Sequence, residues 1–317
     1  MIPNILLLIL GFILLIKGAD VFVDGASSTA QNFKVSKVLI GLTIVAFGTS
    51  APEFAVSMNA LATHSTDMVL GNVIGSNIMN ILLILGVAAI IHPISIKNNT
   101  VKKELPLTML ISTLLVVLFL DIRLGNSEVN QISRSDALVI LLFFSIFLYY
   151  LISLAIDKKK QNINEEPKFK LGKSILFVVL GLIGIIIGSD LVVDSASKIA
   201  TILGVSERII ALTIIAFGTS LPELVTTIIS SRKGEQDLLV GNIIGSNIFN
   251  ICVVLGIPVA IFGGITPGSF QIIDLIMLVG SALLLFTFSK SYKRITRLEG
   301  VLMLTMFFMY YILVFVI

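Results

Sequence analysis

Two glutamates, Glu53 and Glu223, each lie in the middle of a long apolar stretch of this 317-residue chain. Placing a charge at the centre of a bilayer costs at least about 2.5–3.5 kcal/mol on insertion scales. A purely structural role would require a Lys or Arg partner at the same depth, and the neighbouring apolar stretches offer none. We therefore expect a bound cation or a proton to compensate the two carboxylates. The structural alternative is a protonated glutamate that is hydrogen-bonded across helices.

The residues before each glutamate supply further oxygen atoms. Pro52 and Pro222 lack an N–H and clash with the carbonyl four residues earlier, which predicts freed carbonyls at Gly48 and Gly218. Hydroxyl side chains stand just ahead of the prolines: Thr49, Ser50, Thr219 and Ser220. Calcium prefers such carboxylate, carbonyl and hydroxyl oxygens and takes six to eight of them at about 2.3–2.6 Å. Two glutamates also balance its double charge, and the motif lacks the imidazole and thiolate that softer metals favour.

A second polar motif, GNxxGSNxxN, occurs at 71–80 and again at 241–250. Its oxygen-bearing side chains are Asn72, Ser76, Asn77, Asn80, Asn242, Ser246, Asn247 and Asn250. The GxxxG spacing of its glycines predicts close helix packing, which does not account for the serines and asparagines. We interpret these polar residues as further ion ligands and gate-lining groups on the helices that face the glutamates.

The elements that carry both motifs are predicted to be membrane spans. Hydrophobic residues make up 56% of the chain and charged residues only 13%, against about 25% charged residues in soluble domains. A bilayer core needs about 20 mostly apolar residues per helix. Ten segments qualify, near 4–31, 36–61, 68–91, 104–121, 135–156, 172–199, 206–231, 237–262, 270–289 and 298–316. The predicted fold is an all-α integral membrane protein in a lipid bilayer, and no basic face suggests a nucleic-acid partner.

The chain also contains an internal repeat. A shift of 170 positions aligns 18–86 with 188–256 without a gap, and 32 of the 69 pairs are identical. Each half holds five predicted helices, and an odd number places the second half in the opposite orientation. We therefore predict two inverted five-helix repeats, 1–156 and 172–317, joined by a cytoplasmic linker at 157–171. Inverted repeats with interrupted helices at mid-membrane are typical of secondary transporters.

Basic residues set the predicted orientation. Seventeen of the 22 Lys and Arg residues lie in loops that follow odd-numbered helices. Under the positive-inside rule these loops face the cytoplasm, so both termini are expected outside the plasma membrane. Two acids lie in the first helix of each half, Asp20 and Asp24 in one and Asp190 and Asp194 in the other, and all four are expected to have structural or gating roles.

The paired sequences GTSAPE/GTSLPE and GSNIMN/GSNIFN resemble the two α-repeats of the calcium/cation antiporter superfamily. The closer resemblance, over nearly the whole chain, is to its bacterial and archaeal sodium/calcium exchangers. It implies ten helices in two inverted halves, with the second, third, seventh and eighth helices clustered around the ions. It also implies calcium and sodium as transported ions, without a cofactor. The oligomeric state is left open, and one chain suffices to hold both motifs.

On the matching positions, the resemblance implies that Glu53 and Glu223 bind calcium together with the carbonyls of Thr49 and Thr219. Sodium would share these glutamates and use further groups: the Ala46 and Ala216 carbonyls, Ser50, Ser220, Ser76 and Ser246. Asn80 takes a central polar position in this resemblance. Asn250 stands at the mirror position, where potassium-dependent relatives have Asp, and this difference argues against potassium co-transport.

Three other functions compete with sodium/calcium exchange. Calcium/proton exchange would use protons on the same two glutamates, but the additional hydroxyls favour sodium. An intramembrane hydrolase would need a catalytic Ser or Asp with a base, and no such set stands near His64 or His92. A channel would conduct without coupling to a counter-ion, and two glutamates at the centre of a single-chain site argue against it. We therefore predict a transporter rather than an enzyme.

Overall fold

The structure, a computed structural model, is described over residues 1–63, 65–124, 129–156, 166–204, 216–266 and 272–316. These residues are almost entirely helical. They cluster into two compact units, each of which draws on both halves of the sequence. The first unit comprises Met1–Pro52 with Lys158–Asn242, and the second comprises Glu53–Asp157 with Ile243–Ile317.

The helices account for most of the predicted spans. In chain order they are α1 Ile2–Phe33, α2 Lys37–Thr49, α3 Ala51–Ala62, α4 Thr66–Ile91, α5 Leu105–Leu118, α6 Asp121–Leu124, α7 Arg134–Ile156, α8 Leu171–Ile202, α9 Ala216–Gly218, α10 Leu221–Arg232, α11 Gln236–Phe262, α12 Ile272–Tyr292 and α13 Arg297–Val316. Within the described ranges seven are long and apolar enough to cross a membrane: α1, α4, α7, α8, α11, α12 and α13. The bent pair α2 and α3 passes the same test only when the two helices are taken together, and counting it as one broken span gives eight. A multi-span membrane fold is thereby confirmed.

The two remaining predicted spans have different outcomes. The segment 104–121 is occupied by a π-helical turn at Thr100–Glu104, the 14-residue α5 and the start of α6. The segment 206–231 is described only from residue 216, because 205–215 lies outside the described residues. Its described part forms α9 and α10.

Burial separates the interior spans from those that contact lipid. The most apolar windows of α4 and α11 are 72% and 89% buried, whereas those of the other candidate spans are 17–39% buried. A helix that is apolar on all sides is buried in a protein core or faces lipid. The GNxxGSNxxN motifs thus lie on the two most buried spans, and their polar side chains must find partners or ligands there.

In the first unit, α1 and α8 are packed against each other at backbone contact. Glycines spaced seven residues apart line this contact: Gly11, Gly18 and Gly25 on α1, with Gly181 and Gly188 on α8. A Cβ atom added to Gly181 would lie 2.5 Å from the backbone nitrogen of Phe22, and one added to Gly188 would lie 2.5 Å from that of Leu15. Small residues that permit such close approach are a common basis of helix association in membranes.

An ion-pair network fastens α1 to the turn between α10 and α11, also in the first unit. Lys233 Nζ lies 2.9 Å from Asp20 Oδ1 and 2.8 Å from Asp24 Oδ1. In the same turn, Glu235 pairs with Lys37 at 3.0 Å and accepts a hydrogen bond from a serine of α1 at 2.8 Å. Asp20 and Asp24 therefore have structural partners, in line with one of the two roles expected for them.

In the second unit, loops of the two sequence halves pair reciprocally. Strand β1, Ile94–Ser95, pairs antiparallel with strand β2, Arg294–Ile295. An isolated bridge joins Ile132 to Ile265. In each case the loop after the third predicted span of one half contacts the loop before the fifth span of the other half.

Two buried acids of the second unit are each bonded to a tyrosine. Tyr150 donates to Glu104 Oε1, and Tyr310 donates to Asp274 Oδ1 at 2.7 Å. Both acids are buried and lie 170 positions apart, which is the offset of the sequence repeat. Sequence reasoning missed them because both lie beyond the aligned segment.

The GxxxG spacing predicts close helix packing at the glycines of both GNxxGSNxxN motifs. A Cβ atom on Gly241 would lie 2.5 Å from the Val38 carbonyl oxygen, so close packing is confirmed there. A Cβ atom on Gly71 or Gly75 would meet no atom of the described residues within 4 Å. The residues that correspond in the repeat to those packed on Gly241 fall in 205–215, outside the described residues, so close packing at Gly71 and Gly75 stays a prediction.

Candidate cation-binding site

Both GTSxPE motifs interrupt their helices just before the proline. Ser50 separates α2 from α3 with φ −86° and ψ 8°, and the two helices are bent by 45°. Ser220 precedes α10 with nearly the same angles, φ −90° and ψ 4°. A proline cannot donate to the preceding turn, and it clashes with the carbonyl four residues earlier. The predicted interruption is therefore present in both halves.

One of the carbonyls predicted to be freed has a partner in the first unit. Ser189 Oγ donates to the Gly218 carbonyl oxygen at 3.0 Å, and both groups are buried. Buried carbonyls in a membrane must be satisfied by such donors or by ligands. The position equivalent to Ser189 in the first half is Ala19, which has no donor, so the carbonyl of Gly48 lacks this support.

Glu223 is a buried carboxylate of the first unit. Its side chain is fully buried, with 0% exposure, and Ser50 Oγ donates to its Oε1 at 2.9 Å. This bond joins the motif of the first sequence half to the motif of the second. Hydrogen bonds to a carboxylate are among the strong ones, and a buried carboxylate still requires compensating charge.

Thr49 makes a second link between the halves within the first unit. Its hydroxyl lies 3.1 Å from the Val45 carbonyl oxygen and 3.2 Å from Asn242 Oδ1. The Nδ2 atom of Asn242 is buried and has no hydrogen-bond partner among the described residues. The first GTSxPE motif is thereby connected to the second GNxxGSNxxN motif.

Glu53 belongs to the second unit, where its backbone is fixed by the first GNxxGSNxxN motif. Asn72 Nδ2 donates to the Glu53 carbonyl oxygen at 2.9 Å and to Ser57 Oγ at 2.9 Å. The Glu53 side chain is 1% exposed. Asn72 therefore holds the helical turn that carries this glutamate, a role that the sequence did not specify for it.

Asn80 and Asn250 each begin a π-helical segment, Asn80–Leu85 in α4 and Asn250–Leu255 in α11. Single π-helical turns within α-helices are frequent at functional sites. Both asparagines are buried, and Asn80 Nδ2 donates to Asn247 Oδ1 at 3.0 Å. Asn80 Oδ1 and both amide atoms of Asn250 have no hydrogen-bond partner in the described part of the chain. Each such buried atom costs about 1–3 kcal/mol unless a ligand or water satisfies it.

The predicted site residues divide between the two units. The first unit holds Ala46, Thr49, Ser50, Ala216, Thr219, Ser220 and Glu223, and the second holds Glu53, Ser76, Asn80, Ser246 and Asn250. Direct contact is observed between Ser50 and Glu223. A site shared by Glu53 and Glu223 stays a prediction. Of the two histidines, His92 is exposed at the end of α4, and His64 lies outside the described residues.

The available donors are those of a hard cation. No group of three or more His, Cys, Asp or Glu side chains that could hold a metal occurs among the described residues. The ligands predicted beside the two glutamates are hydroxyl, amide and backbone oxygens. Oxygen-only surroundings of this kind suit calcium and sodium better than transition metals.

Comparison with known proteins agrees with this chemistry. The profile of the family described as "Sodium/calcium exchanger protein" matches residues 3–153 and 173–316. The sodium/calcium exchanger MaX1 of Methanosarcina acetivorans is 33% identical, over 98% of each chain. The inner membrane protein YrbG of Escherichia coli is 39% identical, over 84% of this chain and 81% of its own. Among solved structures, the sodium-calcium exchanger NCX_Mj superposes with a TM-score of 0.84 and 34% identity, over 97% of each chain.

Proposed function

Because this chain belongs to the sodium/calcium exchanger family, we propose that it exchanges calcium for sodium by alternating access. As a member of that family it is a multi-span membrane antiporter of calcium and another cation. The observation that carries the proposal is the 2.9 Å hydrogen bond from Ser50 Oγ to Glu223 Oε1. It joins a hydroxyl of one repeat to a buried carboxylate of the other, and such oxygens are what a hard cation selects.

Calcium, in this proposal, binds to the carboxylates of Glu53 and Glu223 and to the carbonyls of Thr49 and Thr219. The two negative charges balance the double positive charge of the ion. Both glutamates are at most 1% exposed. A buried carboxylate without a compensating charge is costly in a low-dielectric interior, so ion binding and burial of the glutamates depend on each other.

Sodium competes for the same two glutamates and takes further oxygens from both motif pairs. These are the carbonyls of Ala46 and Ala216 and the side chains of Ser50, Ser220, Ser76, Ser246, Asn80 and Asn250. All six of these side chains are buried, which keeps their oxygens away from bulk water. An amide rather than a carboxylate at Asn250 argues against potassium co-transport.

The proposed architecture is ten transmembrane helices in two inverted repeats, 1–156 and 172–317, joined by a cytoplasmic linker at 157–171. Both termini lie outside the plasma membrane, and one chain suffices to hold both motifs. Equivalent features in the two halves support this arrangement. π-Helical segments begin at Asn80 and at Asn250, 170 positions apart, and the loop pairings of the second unit are reciprocal.

Coupling follows from the charge of the empty site. Removal of either ion without replacement would leave two carboxylates uncompensated in the membrane interior, where each charge costs at least about 2.5–3.5 kcal/mol. The transporter therefore switches the ion site from one side of the membrane to the other only when calcium or sodium neutralises the glutamates. This requirement links the two fluxes without any bound cofactor.

The test is radioactive calcium uptake into proteoliposomes loaded in turn with sodium, potassium or acid. We expect uptake only when a sodium gradient is directed outward. Uptake driven by a proton gradient alone would contradict sodium coupling and identify a calcium/proton antiporter that uses the same glutamates. Calcium flux that needs no counter-ion and does not saturate would contradict exchange altogether.

A further inference from the structure

The equivalent asparagines Asn80 and Asn250 are held differently in the second unit. Asn80 Nδ2 donates to Asn247 Oδ1 at 3.0 Å, which links the two sequence repeats. Asn250 is 0% exposed, yet neither atom of its amide forms a hydrogen bond within the described part of the chain. One amide is therefore fixed in orientation by a neighbour, and the other is not.

Asn247 is itself restrained at both ends of its amide. Its Oδ1 accepts from Asn80, its Nδ2 lies 3.5 Å from the Asn77 carbonyl oxygen, and the residue is 1% exposed. Its equivalent in the first half, Asn77, instead donates to the Val73 carbonyl oxygen of its own helix at 2.7 Å. That bond directs the Asn77 amide group into α4, so the support given to Asn80 has no counterpart at Asn250 among the described residues.

The hydrogen bond from Asn80 Nδ2 to Asn247 also restrains the direction of the Asn80 Oδ1 atom. The nitrogen and the oxygen share one planar carbon, so a hydrogen bond that fixes Nδ2 also fixes the direction of Oδ1. Asn80 Oδ1 is buried and receives no hydrogen bond from the described residues. A preoriented oxygen with a vacant lone pair is the ligand that a sodium or calcium ion requires.

We propose that Asn247 is a positioning residue that orients the Asn80 amide so that Oδ1 binds the transported cation. The inference rests on the proposed function, because it takes Asn80 to be an ion ligand. Outer partners of this kind hold a ligand in its binding geometry, and their loss costs roughly 10–100-fold in metal affinity. Asn250, which has no such partner among the described residues, adapts its amide to the ion instead.

The experiment is a double-mutant cycle on ion affinity in proteoliposomes. Half-saturating sodium and calcium concentrations are measured for the wild type, Asn80→Ala, Asn247→Ala and the double variant. We expect Asn247→Ala to raise the half-saturating concentration of at least one ion roughly tenfold, with little change in maximal rate. The double variant should be no weaker in affinity than Asn80→Ala, because Asn247 acts through Asn80.

The outcomes separate the inference from the function on which it rests. Additive losses, or wild-type affinity in Asn247→Ala, would overturn the positioning role while leaving Asn80 as a ligand. Unchanged affinity in Asn80→Ala would overturn both the positioning role and the assignment of Asn80 to the site. Absence of sodium-coupled calcium uptake in the wild type would contradict the proposed function itself.

A matched control separates positioning from folding. Asn32 also donates its amide, at the end of α1, to the Phe169 carbonyl oxygen at 2.8 Å, and it belongs to the first unit and to neither motif. Asn32→Ala should lower thermal stability without a change in ion affinity. If Asn247→Ala does not fold, Asn247→Ser keeps a polar side chain too short to reach Asn80, and the same non-additivity is expected of it.

Discussion

At the residue scale, Ser50 is in direct contact with a glutamate of the candidate site. Its hydroxyl donates to Glu223 Oε1 at 2.9 Å, and both residues are buried. In the proposed site Ser50 binds sodium, whereas calcium relies on the glutamates and on backbone carbonyls. Loss of this hydroxyl should therefore affect the two ions unequally.

We expect Ser50→Ala to raise the half-saturating sodium concentration by about tenfold, since hydrogen bonds to charged groups contribute roughly 1.5–3 kcal/mol. The calcium affinity should change less. Sodium-driven and calcium-driven exchange in proteoliposomes measures both. Ser145→Ala is the matched control, because Ser145 donates only to carbonyls of its own exposed helix face. Equal losses for both ions would contradict the assignment of Ser50 to sodium.

The sequence suggests which residues form the candidate site, and that assignment stays a prediction; it does not give their contacts. Proline and glutamate in an apolar stretch predicted the interrupted helices, which the structure contains at Ser50 and Ser220. The bond between Asn80 and Asn247 depends on how α4 and α11 meet in the second unit. Because the two motifs are identical at these positions, the sequence carried no sign that Asn250 would have no such partner in the described part of the chain.

At the element scale, the carboxylate–tyrosine pairs are contacts between helical segments that the sequence did not predict. Tyr150 of α7 donates to Glu104, and Tyr310 of α13 donates to Asp274 of α12. The two acids are separated by the 170-position offset of the repeat, but the two tyrosines are not, so alignment of the halves alone does not reveal the pairs.

The spans themselves could be predicted from the length of the apolar segments. Helices α4, α7 and α11 begin and end within two residues of their predicted bounds.

Tyr150→Phe should destabilise the protein by about 1–3 kcal/mol, because it leaves the buried Glu104 carboxyl without this donor. The midpoint of thermal unfolding in detergent measures the effect. Tyr149→Phe is an adjacent control, since the Tyr149 side chain is 75% exposed. A midpoint unchanged in both variants would show that the buried pair does not contribute to stability.

The ion-pair network on α1 permits a similar comparison of two lysines. Lys233 pairs with both Asp20 and Asp24, and its side chain is 23% exposed. Lys198 pairs with Asp194 of the same helix, and both of these side chains are at least 60% exposed. Lys233→Met should lower stability by about 1–3 kcal/mol, since it removes bonds to two carboxylates. Lys198→Met should cost less than about 1 kcal/mol, as exposed pairs do. The same unfolding assay would contradict this ranking if the two variants were equally stable.

At the scale of the whole molecule, the two sequence halves are equivalent in chemistry but not in conformation. Asn72 donates two hydrogen bonds that hold the helical turn of Glu53, whereas Asn242, its equivalent, accepts a hydrogen bond from Thr49. Sequence symmetry predicted the pairing of the halves, while the differences arise only from tertiary packing.

The central claim is that calcium and sodium share the two glutamates, and calcium exchange by glutamate variants tests it most directly. Radioactive calcium uptake against a sodium gradient is measured for Glu53→Gln, Glu223→Gln and the exposed-acid control Glu166→Gln. We expect at least a roughly tenfold loss in each of the first two, because one of two charges balancing a divalent ion is removed, and wild-type uptake in the control. Full sodium-dependent calcium exchange by either Glu53→Gln or Glu223→Gln would contradict the two-glutamate site.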